Sequence, residues 1–373
     1  MLKHLFIVML AFVPVISESL ETVIVPQFEL PLKKSYIFSE PTRDELILFY
    51  EKLTKPSSTL FIERRRPSDR SIIAKYSFKL QPGQTTRLAD YLQGNSVLLV
   101  LIQHNKLQTL SSLAINVLNR STIRSSIFTI EEARRVDRSI RRLSVTGMTW
   151  DNRAKKESFL INGSLEEGSV PFLASVDISG RRIGSPVLIN RRVEHKDLAV
   201  NSCSSTTAAI TEGSVRILNG NRSRTLITPE EISFDPEQCR YGVIRRPFNE
   251  IPQFYFLDAS LNTQHFFQLP GAVAPGLVEE SRNQLVYSSE RNSFFYPTAD
   301  DHALIALSEI TGNGVKFDSI PTSVDSSSIS ITTIDNQVFL LISGLRVRTF
   351  ERVHQLILIS VPPPGGATSS RQF

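Results

Sequence analysis

Strand-length runs of Val, Ile, Leu, Phe and Thr alternate with turns of Gly, Asn, Asp, Ser and Pro along almost the whole chain. Such alternation predicts short β-strands joined by tight connections. The clearest set is Leu143–Trp150, Ser158–Ile161, Phe172–Ile178 and Gly184–Ile189, with Ser179-Gly180-Arg181-Arg182 as the turn before the last strand. Asn219-Gly220 and Thr311-Gly312-Asn313-Gly314 are further hairpin signals. Counting outward from that set gives seven groups of four strands. The sixth group begins at Leu277–Glu280. The last, Ser328–Ile334, Val338–Ser343 and Leu356–Val361, lacks a clear fourth strand. Near the N-terminus, Glu21–Leu30 reads as a strand with no group of its own; pairing with the last group would close a ring and leave no bare sheet edge.

A repeat of about 45 residues with four strands each is the signature of a β-propeller. One blade cannot cover both of its faces, so neighbouring blades stack. Stacking also explains Val97–Ile102, which is apolar at consecutive positions rather than at alternate ones. The expected fold is therefore all-β, a seven-bladed β-propeller closed by an N-terminal strand; the alternatives are a propeller of another blade count and one or two large β-sandwiches. One segment departs from the pattern. Thr129 and Glu132 fit a capping box, and Ile130, Ala133, Val136, Ile140 and Leu143 fall on one helical face, which predicts a helix over 130–141.

The first seventeen residues, MLKHLFIVMLAFVPVIS, place Lys3 before an apolar core and end on small residues, the grammar of a secretory signal peptide. The run is too short for a membrane-spanning helix, which needs about 20 apolar residues. The expected organisation is a signal peptide over 1–17, one domain over 18–362 and a flexible tail over 363–373, with secretion to the extracellular space. No transmembrane segment is expected after signal removal. The tail, PPPGGATSSRQF, has no apolar stretch for a lipid anchor.

Secretion changes the meaning of three other features. Cys203 and Cys239 are the two cysteines of the chain and are expected to pair in an oxidising compartment. Asn119, Asn162 and Asn221 each open an Asn-x-Ser sequon without Pro, and each is expected in a solvent-facing turn that carries a glycan. The formal net charge of +5 falls short of a nucleic-acid binder, and nucleic acid is excluded as a partner. Arginine doublets at Arg64-Arg65-Arg66, Arg134-Arg135, Arg141-Arg142, Arg181-Arg182, Arg191-Arg192 and Arg245-Arg246 would attract a polyanion if several shared a face.

Motifs for catalysis are weak: HExxH, GxSxG, a phosphate loop and an acidic calcium loop are all missing from the sequence. Gly147-Met148-Thr149-Trp150 resembles the end of the aspartate box of sialidase-like propellers, with Val145 in the place of the Asp; that motif is structural. The best candidate for chemistry is Asp300-Asp301-His302, two carboxylates beside an imidazole in a loop, suited to a divalent cation or to a general base. His104 and His195, with Glu166, Glu167 and Glu212, are expected on the same face of the ring. No cofactor is implied. Two functions follow from these features. One is a secreted, glycosylated, non-catalytic scaffold for an extracellular protein or glycan partner. The other is a secreted hydrolase, metal-assisted or not, centred on Asp300, Asp301 and His302.

Overall fold

The computed structural model describes residues 22–28, 32–54, 56–166, 168–189, 193–204, 206–218, 220, 222–246, 251–269, 285–299, 304–322, 325–348 and 351–361. They form seven antiparallel sheets of four strands each. The first strand, β1 (Thr22–Phe28), stands apart in sequence from its sheet. Blade 1 is β2 (Leu32–Glu40), β3 (Glu45–Thr54), β4 (Ser57–Arg65) and β5 (Ile72–Lys79). Blade 2 is β6 (Gln84–Leu92), β7 (Val97–His104), β8 (Thr109–Asn116) and β9 (Thr122–Thr129), followed by the helix α1 (Ile130–Val136). Blade 3 is β10 (Arg142–Asp151), β11 (Lys156–Leu165), β12 (Gly168–Asp177) and β13 (Val187–Leu188). Blade 4 is β14 (His195–Asn201), β15 (Thr206–Thr211), β16 (Ser214–Leu218) and β17 (Ser223–Thr225). Blade 5 is β18 (Pro229–Asp235), β19 (Arg240–Arg245), β20 (Gln253–Leu257) and β21 (Thr263–Gln268). Blade 6 is β22 (Val286–Ser288), β23 (Ser293–Ala299), β24 (Leu304–Thr311) and β25 (Gly314–Pro321). Blade 7 is β26 (Asp325–Ile334), β27 (Gln337–Arg348) and β28 (Glu351–Val361), with β1 paired antiparallel to β28 as its outer strand.

The first strand of each blade packs against the first strand of the next, and β2 packs on β26, so the ring is closed around an axis. The apolar run of β7 shows why. Leu98, Val100 and Ile102 enter the core shared with blade 1, whereas Leu99 and Leu101 enter the core shared with blade 3. Successive side chains point to opposite faces, and both faces are covered, so Leu98 to Gln103 are all buried. In β27 the division is the same: Val338, Leu340 and Ile342 face blade 6, and Phe339 and Leu341 face blade 1. The interface between blades 3 and 4 is thinner. Its apolar centre is Leu160, Leu198, Ala209 and Leu218, and beside it lies a polar knot: Asn162 Nδ2 donates to Thr146 Oγ1 and to the His195 carbonyl, both at 3.0 Å.

Three expectations are corrected. The helix stops at Val136 rather than at 141, because the Asp137 carboxylate turns back on the backbone N–H and hydroxyl of Ser139 and offers the chain a turn in place of another helical bond. Its expected capping box between Thr129 and Glu132 is present. The first strand of blade 6 is Val286–Ser288; Leu277–Glu280 lies outside the described residues. Asn162 is not in a turn: it sits within β11 at 4% exposure, and its amide nitrogen is spent on the knot. Asn119 is in an exposed turn as expected, and Asn221 lies outside the described residues.

Candidate functional site

The innermost strand of a blade is a sheet edge, so alternate backbone N–H groups along it have no partner within the blade and need an acceptor from elsewhere. Side chains of the preceding blade supply it. Asp197 on β14 accepts from the Ile232 N–H of β18 at 3.1 Å, and Glu231 on β18 accepts from the Leu285 N–H beside β22 at 2.9 Å. Ser330 on β26 accepts from the Ile37 N–H of β2, and Glu51 on β3 from the Thr86 N–H of β6. A β-bulge precedes these positions in six of the inner strands, falling between Leu32 and Lys34, Thr86 and Leu88, Val145 and Gly147, His195 and Asp197, Pro229 and Glu231, and Ser326 and Ser328. A bulge re-aims the following side chain and tightens the twist. At Gly147 the bulge brings β10 so close to β14 that an added Cβ would lie 2.8 Å from the Leu198 side chain and 3.0 Å from Asp197 Cα.

Two neighbouring spaces lie among the inner strands and share Asp90, Met148, Asp197 and Leu285 in their walls. The narrower, about 220 Å³, is walled by Phe38, Tyr91, Asp90, Met148, Asp197 and Thr332. The wider, about 560 Å³, opens between the first-to-second-strand turns of blades 3, 4 and 5, where Trp150, Arg153, Phe234 and Glu231 join Asp90 and Asp197. Ser202 and Pro236 belong to its rim. Each is close in sequence to one end of the Cys203–Cys239 disulfide, which joins the turns of blades 4 and 5 with a Cα–Cα distance of 5.9 Å. The expected pairing of the two cysteines is thus present. The turns on this rim share one device. The carboxyl or amide oxygens of Asp151, Asn201 and Asp235, each ending an inner strand, accept the two N–H groups that follow in the turn, a local closure typical of Asx residues.

The electrostatics of the channel follow from its depth. Burial pushes Glu231 up to about 7, against the pull of the Arg246 cation. Burial also raises Asp90, and it raises Glu157, which lies behind Asp90 on β11, well above the usual carboxylate range with the repulsion of Asp90 added.

The histidines expected at the site do structural work. His195 opens β14 at 1% exposure, with Nδ1 against the Val193 carbonyl at 3.1 Å and its own carbonyl holding Asn162 and Thr146. Burial lowers its pKa, which favours the neutral ring. It lies buried between blades 3 and 4. His104 ends β7, where Nδ1 accepts from the Leu107 N–H at 3.2 Å and closes the turn. Glu166 makes an exposed pair with Arg141, and Glu212 is exposed in the β15–β16 turn. Asp300, Asp301 and His302 fall between β23 and β24 and, like Glu167, lie outside the described residues. Among the described residues no group of three or more His, Cys, Asp or Glu is placed to hold a metal ion, and no helix is long and apolar enough to cross a membrane.

Among the described residues, several arginines of the doublets hold carboxylates. Arg64 and Arg65, both on β4 of blade 1, are held by Glu45 and Glu63, Arg182 by Glu132 and Arg246 by Glu230. Asp90, Asp197, Glu231 and Glu157 were not among the residues expected from sequence. The signal for Asp197 and Glu231 was a register: Thr146-Gly147-Met148-Thr149-Trp150-Asp151, Lys196-Asp197-Leu198-Ala199-Val200-Asn201 and Glu230-Glu231-Ile232-Ser233-Phe234-Asp235 align from bulge to turn; in Arg87 to Leu92 the same position is Leu88, and Asp90 falls two places later.

No protein-family model matches the chain, and no curated protein sequence matches it. Solved structures do. A chain of the mitotic checkpoint complex is similar over 93% of this chain and 94% of its own length, at 10% identity and a TM-score of 0.57. The β-propeller domain of the Trilobed protease from Pyrococcus furiosus is similar over 87% of this chain and 95% of its own, at 11% identity and a TM-score of 0.52. The acylaminoacyl peptidase of Pyrococcus horikoshii is similar at 10% identity and a TM-score of 0.52, with 88% of this chain covering 51% of that one. At these identities the likeness is one of fold.

Proposed function

We propose that the protein is a secreted, N-glycosylated binding scaffold that holds an extracellular protein or glycan partner at the wide mouth of its channel, without chemistry. The observation that carries the reading is the mouth itself. Its volume lies in the range of ligand clefts, about 300–1,000 Å³. Half-buried Trp150 and Phe234 offer flat apolar surface there, suited to a sugar ring or an apolar side chain. The rim is pre-organised by a disulfide and by Asx-closed turns, which reduces the ordering cost of binding. The carboxylates that a hydrolase would recruit in this channel, Asp197 and Glu231, are engaged in holding backbone N–H groups of the next blade. The disulfide supports an oxidising compartment. Polyanion recognition by the arginine doublets has less support, since several of the arginines already hold carboxylates.

The test is a screen of the mature protein against immobilised glycans and extracellular proteins, repeated with Trp150→Ala and with Asp301→Ala/His302→Ala. A ligand whose affinity falls at least about tenfold in Trp150→Ala, typical of a lost aromatic anchor, and is unchanged in the double variant supports the scaffold. A ligand that is consumed by the wild type and not by the double variant would replace the scaffold reading with the hydrolase.

A further inference from the structure

Glu157 is in the wrong place for a carboxylate. It lies on β11 across from Trp150 of β10 and Val176 of β12, at 0% exposure, and neither of its oxygens finds a hydrogen-bond donor. The group that meets it is another acid, Asp90 of the neighbouring blade's inner strand. Asp90 is half-buried, accepts from the Tyr91 N–H at 2.8 Å and lines both spaces of the channel. Leu99, across from Asp90 on β7, and Val176, across from Glu157, belong to one apolar cluster.

The surrounding charges do not balance the pair. On β6, Arg87 donates to Gln103. On β14, Asp197 accepts from the Ile232 N–H. At the end of β12, Asp177 closes the next turn through Ser179 and Arg181. Trp150, Leu99 and Val176 bring no charge. Arg153, in the β10–β11 turn, lines the wide mouth. Two ionised carboxylates meeting in an apolar cluster repel each other and lack water; one proton turns the contact into a charge-assisted O–H···O⁻ hydrogen bond.

We propose that Asp90 and Glu157 together form a proton-binding site that clasps blade 2 to blade 3, filled from the channel and emptied as the pH rises. The proton enters beside Asp90, which faces the channel, and rests on Glu157, which donates it back to the Asp90 carboxylate. The sign follows from both groups being raised in the folded protein. The folded state holds a proton that the unfolded chain releases above about pH 4, the ordinary carboxylate value. The contribution to stability is complete below that pH and is lost as the pH rises through the folded value. Loss of the proton leaves two facing negative charges between blades 2 and 3, and loosens that interface first.

The experiment uses the full mature chain, its Glu157→Gln form, and Asp90→Asn as a second variant should the first not fold. Infrared difference spectra in heavy water are expected to show a protonated carboxyl in the wild type at pH 7 that is lost in Glu157→Gln. The wild-type thermal midpoint is expected to fall by about 2 °C per pH unit relative to the variant from about pH 5 upward until the folded value is passed, the effect of one proton on a chain of this size. Amide exchange in β6, β10 and β11 should rise over the same interval. A wild type with no protonated carboxyl at pH 7, and a midpoint that runs parallel to the variant's from pH 5 to 9, would overturn the proposal. So would a rise in the wild-type midpoint on adding calcium or magnesium that Glu157→Gln lacks, because the compensating cation would then be a metal.

Discussion

Single polar residues decide how this propeller is held together, and Asn162 is the sharpest case. Its sequon is chemically complete, yet its amide lies between two blades and bonds a hydroxyl and a carbonyl. A glycan on that nitrogen would replace both contacts and force blades 3 and 4 apart. If the protein is secreted as proposed, glycopeptide mapping is expected to find sugar on Asn119 and none on Asn162. Asn162→Ala should lower stability by about 2 kcal/mol in urea unfolding, the order expected when buried acceptors lose their donor. Normal stability in that variant, or an occupied Asn162, would show that the knot is not formed.

Blade elements differ in how much they bury, and blade 4 gains most from a covalent brace. Its outer strand β17 is three residues long, and its interface with blade 3 has a small apolar centre. The cysteines are separated by 36 residues, for which the loop-entropy estimate is about 4 kcal/mol. Cys203→Ser/Cys239→Ser is expected to lose roughly that much, with exchange protection falling first in β14 to β19; a change confined to the two turns would contradict it. Most blades were legible in sequence because their turns carry Gly, Asn and Asp, and because strands such as β7 and β27 are apolar at consecutive positions, as double-sided burial demands. The first strand of blade 6 was misplaced because Val286–Ser288, three residues long, is too short to stand out in the sequence. The channel acids were missed for another reason. A charge within an inner strand looks like solvent-facing alternation until the strand is known to be an edge whose N–H groups need acceptors. Asp90 and Glu157 are distant in sequence, and only the stacking of two blades makes them neighbours.

At the scale of the whole molecule, the ring is held shut by a sheet built from both ends of the chain. β1 pairs with β28 from Thr22 opposite Ile359 to Phe28 opposite His354. Deleting 22–28 from the mature chain is expected to bare the edge of β28, lower the thermal midpoint and promote self-association, measured by calorimetry and sedimentation; a monomer of unchanged midpoint would show that the remaining strands close the ring unaided. The same closure sets a clock during synthesis. The strand that β1 needs is made roughly 300 residues later, which at about 5–20 residues per second is tens of seconds. Through that interval β1 has no partner, while blades 1 to 6 are complete in sequence order and able to stack as they emerge. The final seam therefore belongs to the finished chain, and whatever guards a nascent polypeptide must shelter its earliest strand the longest.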